Sequence, residues 1–594
     1  MTWGWRRYVL LAATGVLILA LVGQLAYMQL IRAGYYRRIA NDNRIRVVRL
    51  AAPRGKILDR HSIELAGNRQ AFSIAVVPAD FSGTTPRERL AHALDMVPDD
   101  LANRLTRRRT LPLEPVAIRR DVDLRMISRL EERVEEFSGV ILSTEPVREY
   151  AATIWGGHLL GYVRDVSERD QQRSDKVGGP LRGQIGATGL EHFYDDLLRG
   201  VDGIGYREMN AYGQMMGPMP GYTDVQPIPG DDIRLAIDWE LQELADSLLA
   251  KYLAGTVVAL DVRTGGVLCF VTRPGFDANR FVGEMSTAEW STLRDDPRHP
   301  LLNRATMGLY PPGSVSKLAT AAAGLEAGVV NAGQRFAPCN GGYQFGNRWF
   351  GCWNAAGHGA LPMAGAIEQS CDVYFYQLAQ RLTLEQWSVH MMNCGFGRPT
   401  GLDLPAEKAG IVPSREYYDR IYGKGKWSRG LMLNLAIGQG ELTVTPMQLA
   451  VYFAALANDG TAMKPHLVAA QRAPGGVWVE RTPEAAFRLP CSPATLRVLQ
   501  DACRRVVTAE HGTAHAIADE RVRMAGKTGT AQNPHGEDHA WFASWAPADR
   551  PQIAIVALVE NVGHGSTFAA PICYQIARAY LGVPPKTREP LAVN

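Results

Sequence analysis

The apolar and polar positions of this 594-residue chain follow three successive patterns. Residues 8–31 run for about 24 positions without a charge, enough for a helix to cross a bilayer core of about 30 Å. Short alternating stretches follow to residue 229, and helix and strand patterns then mix to the C-terminus. We therefore predict a tail and membrane anchor at 1–35, a β-rich domain at 36–229 and an α+β domain at 230–594.

The N-terminal apolar run is interpreted as an uncleaved anchor rather than a signal peptide. It exceeds the usual signal-peptide core of about 7–15 residues, and no cleavage site of small residues follows it. Arginines lie on both sides of the run, and their local count would place the following side in the cytoplasm. This rule weakens before a very long domain, so charge alone leaves the orientation open.

Several local patterns predict individual elements. Residues 57–65 are typical of short strands around a turn at 59–61, and helices are predicted near 131–137 and between Gly189 and Gly200. Residues 255–272 predict a β-hairpin with its turn at 264–266. None of the patterns before residue 229 pairs a nucleophile with a base, which favours a structural or docking role for that part.

The amino-acid composition does not change the predicted domain organisation. The hydrophobic fraction of 46% and the charged fraction of 21% are ordinary for a globular protein. The net charge is only +4, and the basic residues do not gather on one predicted face, so we expect no nucleic-acid partner.

The clearest chemical signal is PPGSVSK at residues 311–317. Two prolines and a glycine end one element and good helix formers follow, so Ser314 lies at a helix N-terminus with Lys317 one turn later. A serine hydroxyl is a weak nucleophile until a base removes its proton, and a desolvated lysine can act as that base. Alone, this spacing fits a capping serine beside a solvated lysine better.

Two further motifs change that interpretation. Ser370, Cys371 and Asp372 form an S-x-[ND] pattern, and residues 527–530 read K-T-G-T. S-x-x-K followed by S-x-[ND] and then K-T-G is the ordered signature of serine penicillin-recognising enzymes. K-T-G alone could be any strand end, but the three motifs in this order make a chance match improbable.

With these motifs the chain resembles the class B penicillin-binding proteins, and among them the elongation-specific transpeptidases. The resemblance extends over nearly the whole chain. It is carried by RGKILDR (54–60), GLEHFYDDLLRG (189–200), NRATMGLYPPGSVSK (303–317), GHGALPMAGAIEQSCDVYFYQ (357–377), AIGQGELTVTPMQLA (436–450), AGKTGTAQ (525–532) and DHAWFASWAP (538–547).

The resemblance implies an α+β multidomain fold. The expected parts are a single transmembrane helix, a noncatalytic β-rich pedestal of the dimerisation type, and a transpeptidase domain whose antiparallel sheet is flanked by helices. The implied activity is peptidoglycan D,D-transpeptidation, with some D-Ala-D-Ala carboxypeptidation, in cell-wall elongation and the maintenance of cell shape. β-Lactam antibiotics would acylate the enzyme, and no organic cofactor is expected.

The resemblance also implies a role for each motif residue. Ser314 attacks the penultimate D-alanine of a donor stem peptide, and Lys317 takes its proton. Ser370 relays a proton toward the departing D-alanine, and Lys527 supports that relay electrostatically.

The remaining motif residues are expected to bind substrate. Thr528, Gly529 and Thr530 lie where the family binds the substrate's carboxylate, and the backbone N–H groups of Ser314 and Thr530 form the oxyanion hole. Asp372 stands where the wider superfamily usually has Asn. An ionised carboxylate cannot donate a hydrogen bond, so we expect Asp372 to orient Lys317 or a neighbouring loop.

Cys339, Cys352, His358 and Cys371 lie close together in the sequence. Three thiolates and an imidazole form a closed structural zinc set, and a glycine-rich loop with little core could be organised by a metal. The resemblance implies such a site in some elongation-type members, with His358 and Cys371 at matching positions. A Cys339–Cys352 disulfide and three free thiols stay open as alternatives.

The expected location is the bacterial inner membrane, with the catalytic domain in the periplasm because its chemistry acts there. The expected partners are peptidoglycan stem peptides, β-lactams, a RodA-type membrane glycosyltransferase and the elongation machinery. A septal class B transpeptidase and a membrane-anchored β-lactam sensor or scaffold are the alternatives.

Overall fold

A computed structural model describes most of the chain. The described residues are 4–36, 44–78, 81, 84–107, 115–133, 136–137, 139–151, 156–174, 183–210, 215–283, 285–533 and 536–585.

The chain forms two compact units, and it passes between them several times. Unit 1 contains Met1–Pro53, Asn68–Val147 and Gly200–Pro229. Unit 2 contains Arg54–Gly67, Arg148–Arg199 and Gly230–Asn594. The linear division at residues 35 and 229 stays our proposal for the domain organisation.

Helices and strands alternate irregularly along the chain. The α-helices are Gly4–Ala26, Thr84–Ala93, Pro98–Arg107, Leu124–Glu131, Glu168–Ser174, Gly189–Phe193, Asp195–Leu198, Trp239–Leu249, Thr287–Arg294, Lys317–Glu326, Met363–Glu368, Asp372–Ala379, Leu384–Asn393, Arg415–Tyr422, Leu431–Ala436, Pro446–Ala457, Pro493–Thr508 and Gly565–Tyr580. A π-helical turn, Tyr27–Ile31, continues the first helix, and short 3-10 helices are Gly156–His158, Ala278–Phe281, Gly313–Ser316 and His515–Ile517.

The strands are Ile45–Leu50, Ile57–Leu58, Glu64–Val76, Val116–Val122, Val140–Tyr150, Val163–Asp165, Gln184–Gly186, Gly203–Met209, Met215–Pro218, Asp232–Leu235, Gly255–Asp261, Val267–Arg273, Gly342–Phe345, Arg348–Gly351, Thr461–Met463, Val468–Arg472, Val479–Glu480, Ala485–Arg488, Ala525–Ala531, His539–Ala546 and Ile553–Val559.

Unit 1 begins with the apolar helix. Gly4–Ile31 is 28 residues long, and within the described part of the chain it is the one helix long and apolar enough to cross a membrane. Its apolar side chains are exposed, as expected for a helix whose solvent is lipid. Farther along, strands of this unit pack on short helices through a buried cluster that includes Ile74, Leu90, Leu101 and Ile127.

The centre of unit 2 is a five-stranded antiparallel sheet. Its order is Val267–Arg273, Gly255–Asp261, Ile553–Val559, His539–Ala546 and Ala525–Ala531. The hairpin predicted at 255–272 forms its first two strands. Ala525–Ala531, which carries K-T-G-T, is therefore an edge strand with one side free of strand pairing.

Helices cover this sheet. Ile553–Val559 is buried at every position, so both of its faces are packed. Pro446–Ala457, whose residues are all buried, and Gly565–Tyr580 both contact the sheet. The predicted α+β fold with a helix-flanked antiparallel sheet is confirmed.

The segments of unit 2 that precede residue 230 are joined by a buried charge network. Glu191, fully buried, accepts hydrogen bonds from Arg54 at 2.7 Å and from Arg148 at 2.6 Å. Burial alone would raise the pKa of Glu191, but the two guanidinium groups more than offset it and hold that pKa below its usual value. The RGKILDR and GLEHFYDDLLRG motifs thus meet at one ion-pair network.

One predicted helix differs from the structure. Gly189 does open a helix, but the chain breaks at Tyr194 into Gly189–Phe193 and Asp195–Leu198, and the Tyr194 hydroxyl donates to Asp403 at 2.7 Å. The helix predicted near 131–137 lies partly outside the described residues and stays a prediction. The described helix just before it is Leu124–Glu131, which Asp123 caps by accepting from the Met126 N–H.

Candidate active site

Ser314 lies in a tight turn that leads into a buried helix. The 3-10 turn Gly313–Ser316 continues directly as the helix Lys317–Glu326. Gly313 has φ +54°, and a Cβ there would lie 2.6 Å from the carbonyl oxygen of Thr530. Glycine is therefore required for the turn to lie this close to the edge strand.

Lys317 is fully buried behind Ser314 and is held by the S-x-D turn. Its Nζ donates to Asp372 Oδ1 at 2.7 Å, to the Ser370 carbonyl oxygen at 2.8 Å and to Ser370 Oγ at 3.3 Å. The Ser314 hydroxyl has no hydrogen-bond partner among the described residues, and it is partly exposed. Ser314 is thus accessible to solvent, whereas Lys317 is buried and held by three hydrogen bonds.

Ser370 connects the two lysines. Lys527 Nζ donates to Ser370 Oγ at 3.0 Å and to the Thr528 carbonyl oxygen at 2.9 Å. Ser370 has φ +54°, a conformation that costs a residue with a side chain about 1–2 kcal/mol. The strained residue thus carries the hydroxyl that contacts the Nζ atoms of both Lys317 and Lys527. Backbone strain of this kind is common at functional sites.

Lys527 is buried beside a second cation. Burial first, and the ammonium of Lys317 second, lower the pKa of Lys527 well below its ordinary value. Burial and the neighbouring cation thus both disfavour the charged form of this lysine, which weakens the electrostatic role predicted for it.

Asp372 bridges two parts of the site. One carboxylate oxygen pairs with Lys317, and the other accepts the backbone N–H of Trp353 at 3.0 Å. Asp372 therefore contacts both Lys317 and a neighbouring loop, the two groups that the sequence suggested it orients. Trp353 was missed by sequence reasoning, because nothing in the motif pattern links residue 353 to residue 372.

The K-T-G-T strand runs directly beside the nucleophile turn. A Cβ at Gly529 would lie 2.7 Å from a methyl carbon of Val315, so this strand position needs glycine. The hydroxyl of Thr528, which is buried, lies 2.7 Å from that of Thr513, and the Thr530 carbonyl accepts from Gln439 at 3.3 Å. Sequence reasoning did not connect Thr513 or Gln439 with this strand, because their contacts arise only from tertiary packing.

The predicted metal residues also come together. The ligand atoms of Cys339, Cys352, His358 and Cys371 lie within 4.8 Å of one another. His358 Nδ1 is 3.7 Å from Cys339 Sγ and 3.5 Å from Cys352 Sγ. All eight cysteines are free, so the structure does not contain the alternative Cys339–Cys352 disulfide.

This cluster adjoins the catalytic residues, because Cys371 lies between Ser370 and Asp372. The contact between Cys371 and Cys352 lowers the pKa of Cys352 and raises that of Cys371, so the pair favours one thiolate. A thiolate is the form of cysteine that binds metal.

A serine with a buried lysine behind it and an edge strand beside it is arranged for acyl transfer through that serine. This is the chemistry of the penicillin-recognising serine enzymes. Residues 255–578 match the penicillin binding protein transpeptidase domain, and residues 49–235 match the penicillin-binding protein dimerisation domain. The chain belongs to the penicillin-binding protein transpeptidase family, and within it to class B.

Several known proteins resemble the chain over most of its length. The peptidoglycan D,D-transpeptidase MrdA of Acinetobacter baumannii is 33% identical over 572 residues, covering 93% of this chain and 84% of that protein. A penicillin-binding protein PBP2 from Helicobacter pylori, solved in complex with MreC, is 27% identical with a TM-score of 0.78, covering 91% of this chain and 99% of that one.

A third match concerns a larger assembly. A chain from a structure titled as a peptidoglycan synthase complex that coordinates polymerization and crosslinking is 30% identical to this chain. The TM-score is 0.72, and the match covers 98% of this chain and 100% of that one.

The lowered pKa of Lys527 predicts a pH dependence of stability. Above its folded-state pKa the unfolded chain binds more protons than the folded chain, so stability rises with pH toward the unfolded lysine value of about 10.4. We expect the Tm of the wild type to rise relative to that of Lys527→Met between about pH 7 and 10.

Thermal unfolding followed by circular dichroism at several pH values checks this. Lys251→Met, which removes an exposed lysine, is the matched control and should follow the wild-type curve. If the Tm of the wild type and the Tm of Lys527→Met changed with pH in parallel, the expected pH dependence would be contradicted.

Proposed function

We propose that the chain is the peptidoglycan D,D-transpeptidase of lateral cell-wall elongation, working through an acyl-enzyme on Ser314. The observation that carries this proposal is the chain of contacts from Lys317 through Ser370 to Lys527 behind a partly exposed Ser314. The family match and the MrdA relative support the same activity.

In the proposed acylation step, Ser314 Oγ forms a bond to the carbonyl carbon of the penultimate D-alanine. Lys317 takes the serine proton when its amine is in the neutral form, and the bond from that carbon to the terminal D-alanine nitrogen breaks. Ser370, 3.0 Å from Lys527 and 3.3 Å from Lys317, is placed to pass a proton to the departing amine. An acceptor amine then takes the acyl group, or water hydrolyses it.

The edge strand supplies the binding groups in this proposal. The backbone N–H groups of Ser314 and Thr530 would hold the developing oxyanion, and losing one such donor typically costs about 3 kcal/mol of transition-state stabilisation. Thr528 and Thr530 would bind the substrate's terminal carboxylate. Gly529 supports this role because its lack of a side chain lets the strand approach the nucleophile turn.

The alternative functions have less support. A scaffold without chemistry would not need the two buried lysines on Ser370, whose burial is energetically costly. A sensor of this type usually has several membrane spans, whereas the described residues contain one candidate span. A septal role is less favoured because the MrdA relatives match over nearly the whole chain.

The nucleophile is tested by labelling the purified full-length protein with a fluorescent penicillin. We expect a covalent adduct with the wild type and none with Ser314→Ala, because the acyl group has no other attachment point in this proposal. Ser247→Ala, which changes an exposed serine in the same unit, should label like the wild type.

Circular dichroism of each variant verifies folding. Labelling of folded Ser314→Ala would assign another nucleophile, and a folded wild type that does not label would favour the scaffold interpretation.

We further propose that Cys339, Cys352, His358 and Cys371 hold a structural zinc ion. Tetrahedral zinc, with bonds of about 2.3 Å to sulfur and about 2.0 Å to nitrogen, separates these ligands by about 3.5 Å. The sulfur–nitrogen distances of 3.5 and 3.7 Å fit that geometry. Bound zinc would brace the loop and fix the turn between Ser370 and Asp372.

Metal analysis of protein purified without chelator tests the zinc site. We expect about one zinc per chain in the wild type, and loss of zinc with a lower Tm in Cys371→Ser, because one of four ligands is removed. Cys573→Ser changes a buried cysteine outside the cluster and should retain the metal. A wild type without zinc would refute the site.

The location and partners form the last part of the proposal. Gly4–Ile31 would anchor the chain in the inner membrane, with the catalytic unit in the periplasm where peptidoglycan lies. A RodA-type glycosyltransferase and the elongation machinery are the proposed partners. The PBP2 structure with MreC and the synthase-complex match support an assembly of this kind.

A further inference from the structure

Trp353 places a large apolar surface next to the catalytic turn. Its indole N–H donates to the carbonyl oxygen of Gln369 at 3.0 Å, one residue before Ser370, and its backbone N–H donates to Asp372. The residue is nevertheless 61% exposed. One hydrogen bond therefore holds the indole and a second holds its backbone, while the apolar body of the ring is still open to solvent.

Tryptophan is enriched among the residues that dominate binding interfaces, because it buries a large area and loses little conformational freedom. Here the indole hydrogen bond and the His358 ring, whose centroid lies 5.4 Å from that of the indole, already restrict the side chain before anything binds. Such preorganisation lowers the entropic cost of binding.

The chemistry proposed for Ser370 indicates which part of the substrate lies near Trp353. In the proposed reaction Ser370 gives a proton to the departing D-alanine amine, so the leaving group lies on the Ser370 side. The acceptor amine must approach along the path by which the leaving amine departed, since it forms the same type of bond to the same carbon. The acceptor therefore approaches the site on the side of the Ser370 turn, to which the Trp353 indole is hydrogen-bonded through Gln369.

We propose that the Trp353 indole is the binding surface for the acceptor stem peptide and positions its amine for attack on the acyl-enzyme. This inference rests on the proposed transpeptidase function and deepens it. The indole contacts the aliphatic part of the acceptor peptide, whose amine then points toward Ser370. Trp353 is a positioning residue, because it takes no proton and forms no covalent bond.

The step that Trp353 assists is aminolysis of the acyl-enzyme. The acceptor nitrogen forms an amide bond to the acyl carbon, and the bond from that carbon to Ser314 Oγ breaks. The proton lost by the amine passes through Ser370 and Lys317 to Ser314 Oγ, which restores the free enzyme. Hydrolysis follows the same course with water in place of the amine, and water needs no apolar contact.

The ratio of aminolysis to hydrolysis therefore isolates the contribution of Trp353. The full-length protein is given a thioester donor ending in D-alanine, with a tripeptide bearing a free side-chain amine as acceptor, and both products are quantified. We expect the ratio to fall about tenfold in Trp353→Ala and to recover partly in Trp353→Phe. The Ala variant keeps the backbone N–H that contacts Asp372.

Trp349→Ala is the matched control. Trp349 is 58% exposed on the same loop, but it has no contact with the Ser370 turn among the described residues, so the product ratio should match the wild type. Glycine as acceptor provides a second control, because it is too small to reach the indole and its ratio should not depend on Trp353.

An unchanged product ratio in Trp353→Ala would overturn the proposal, whether or not the total rate falls. A fall in total rate at constant ratio would mean that the residue acts only through Asp372. Failure of the transpeptidase function itself is distinguishable, because the wild type would then form no acyl-enzyme from the donor.

Discussion

The buried ion pair between Lys317 and Asp372 is the interaction on which the rest of the site depends. It joins the nucleophile helix to the turn that carries Ser370, and through the second carboxylate oxygen it joins both to the loop at Trp353. Removing one partner of a buried pair typically costs about 3–5 kcal/mol, because the other charge is left uncompensated. The pair therefore fixes the relative positions of three separate segments.

The same pair explains how two lysines can share one serine hydroxyl. Lys317 and Lys527, both fully buried, contact Ser370 Oγ, and like charges repel strongly when they are shielded from water. Asp372 compensates the charge of Lys317, and the lowered pKa of Lys527 relieves the remaining repulsion. The chain thus keeps two basic groups at one relay hydroxyl by neutralising them in different ways.

Sequence reasoning could predict those parts of the fold and the site whose residues lie close together along the chain. The spacing of Ser314 and Lys317 predicted a shared helical face, and the glycine-centred turn at 264–266 predicted the hairpin at the start of the sheet. The cysteine cluster was found because its members lie within about 30 residues, a separation that loops commonly close. The broken helix at Tyr194 was missed, because its contact with Asp403 depends on a segment far away in the sequence.

Tertiary contacts account for the other omissions. The second role of Asp372, the Thr513–Thr528 pair and the packing of Gln439 on Thr530 all join segments that no periodicity connects. The grouping of Arg54–Gly67 and Arg148–Arg199 with the catalytic unit also has no linear signature, because buried charges such as Glu191 recruit partners from distant segments.

A double-mutant cycle on unfolding free energy tests the central role of the ion pair most directly. The cycle compares the wild type, Lys317→Met, Asp372→Asn and the double variant by urea denaturation. We expect the double variant to lose at least about 2 kcal/mol less stability than the sum of the single losses, as for a desolvated interacting pair. Additive losses would mean that the two residues stabilise the site independently, and that the ion pair does not hold it together.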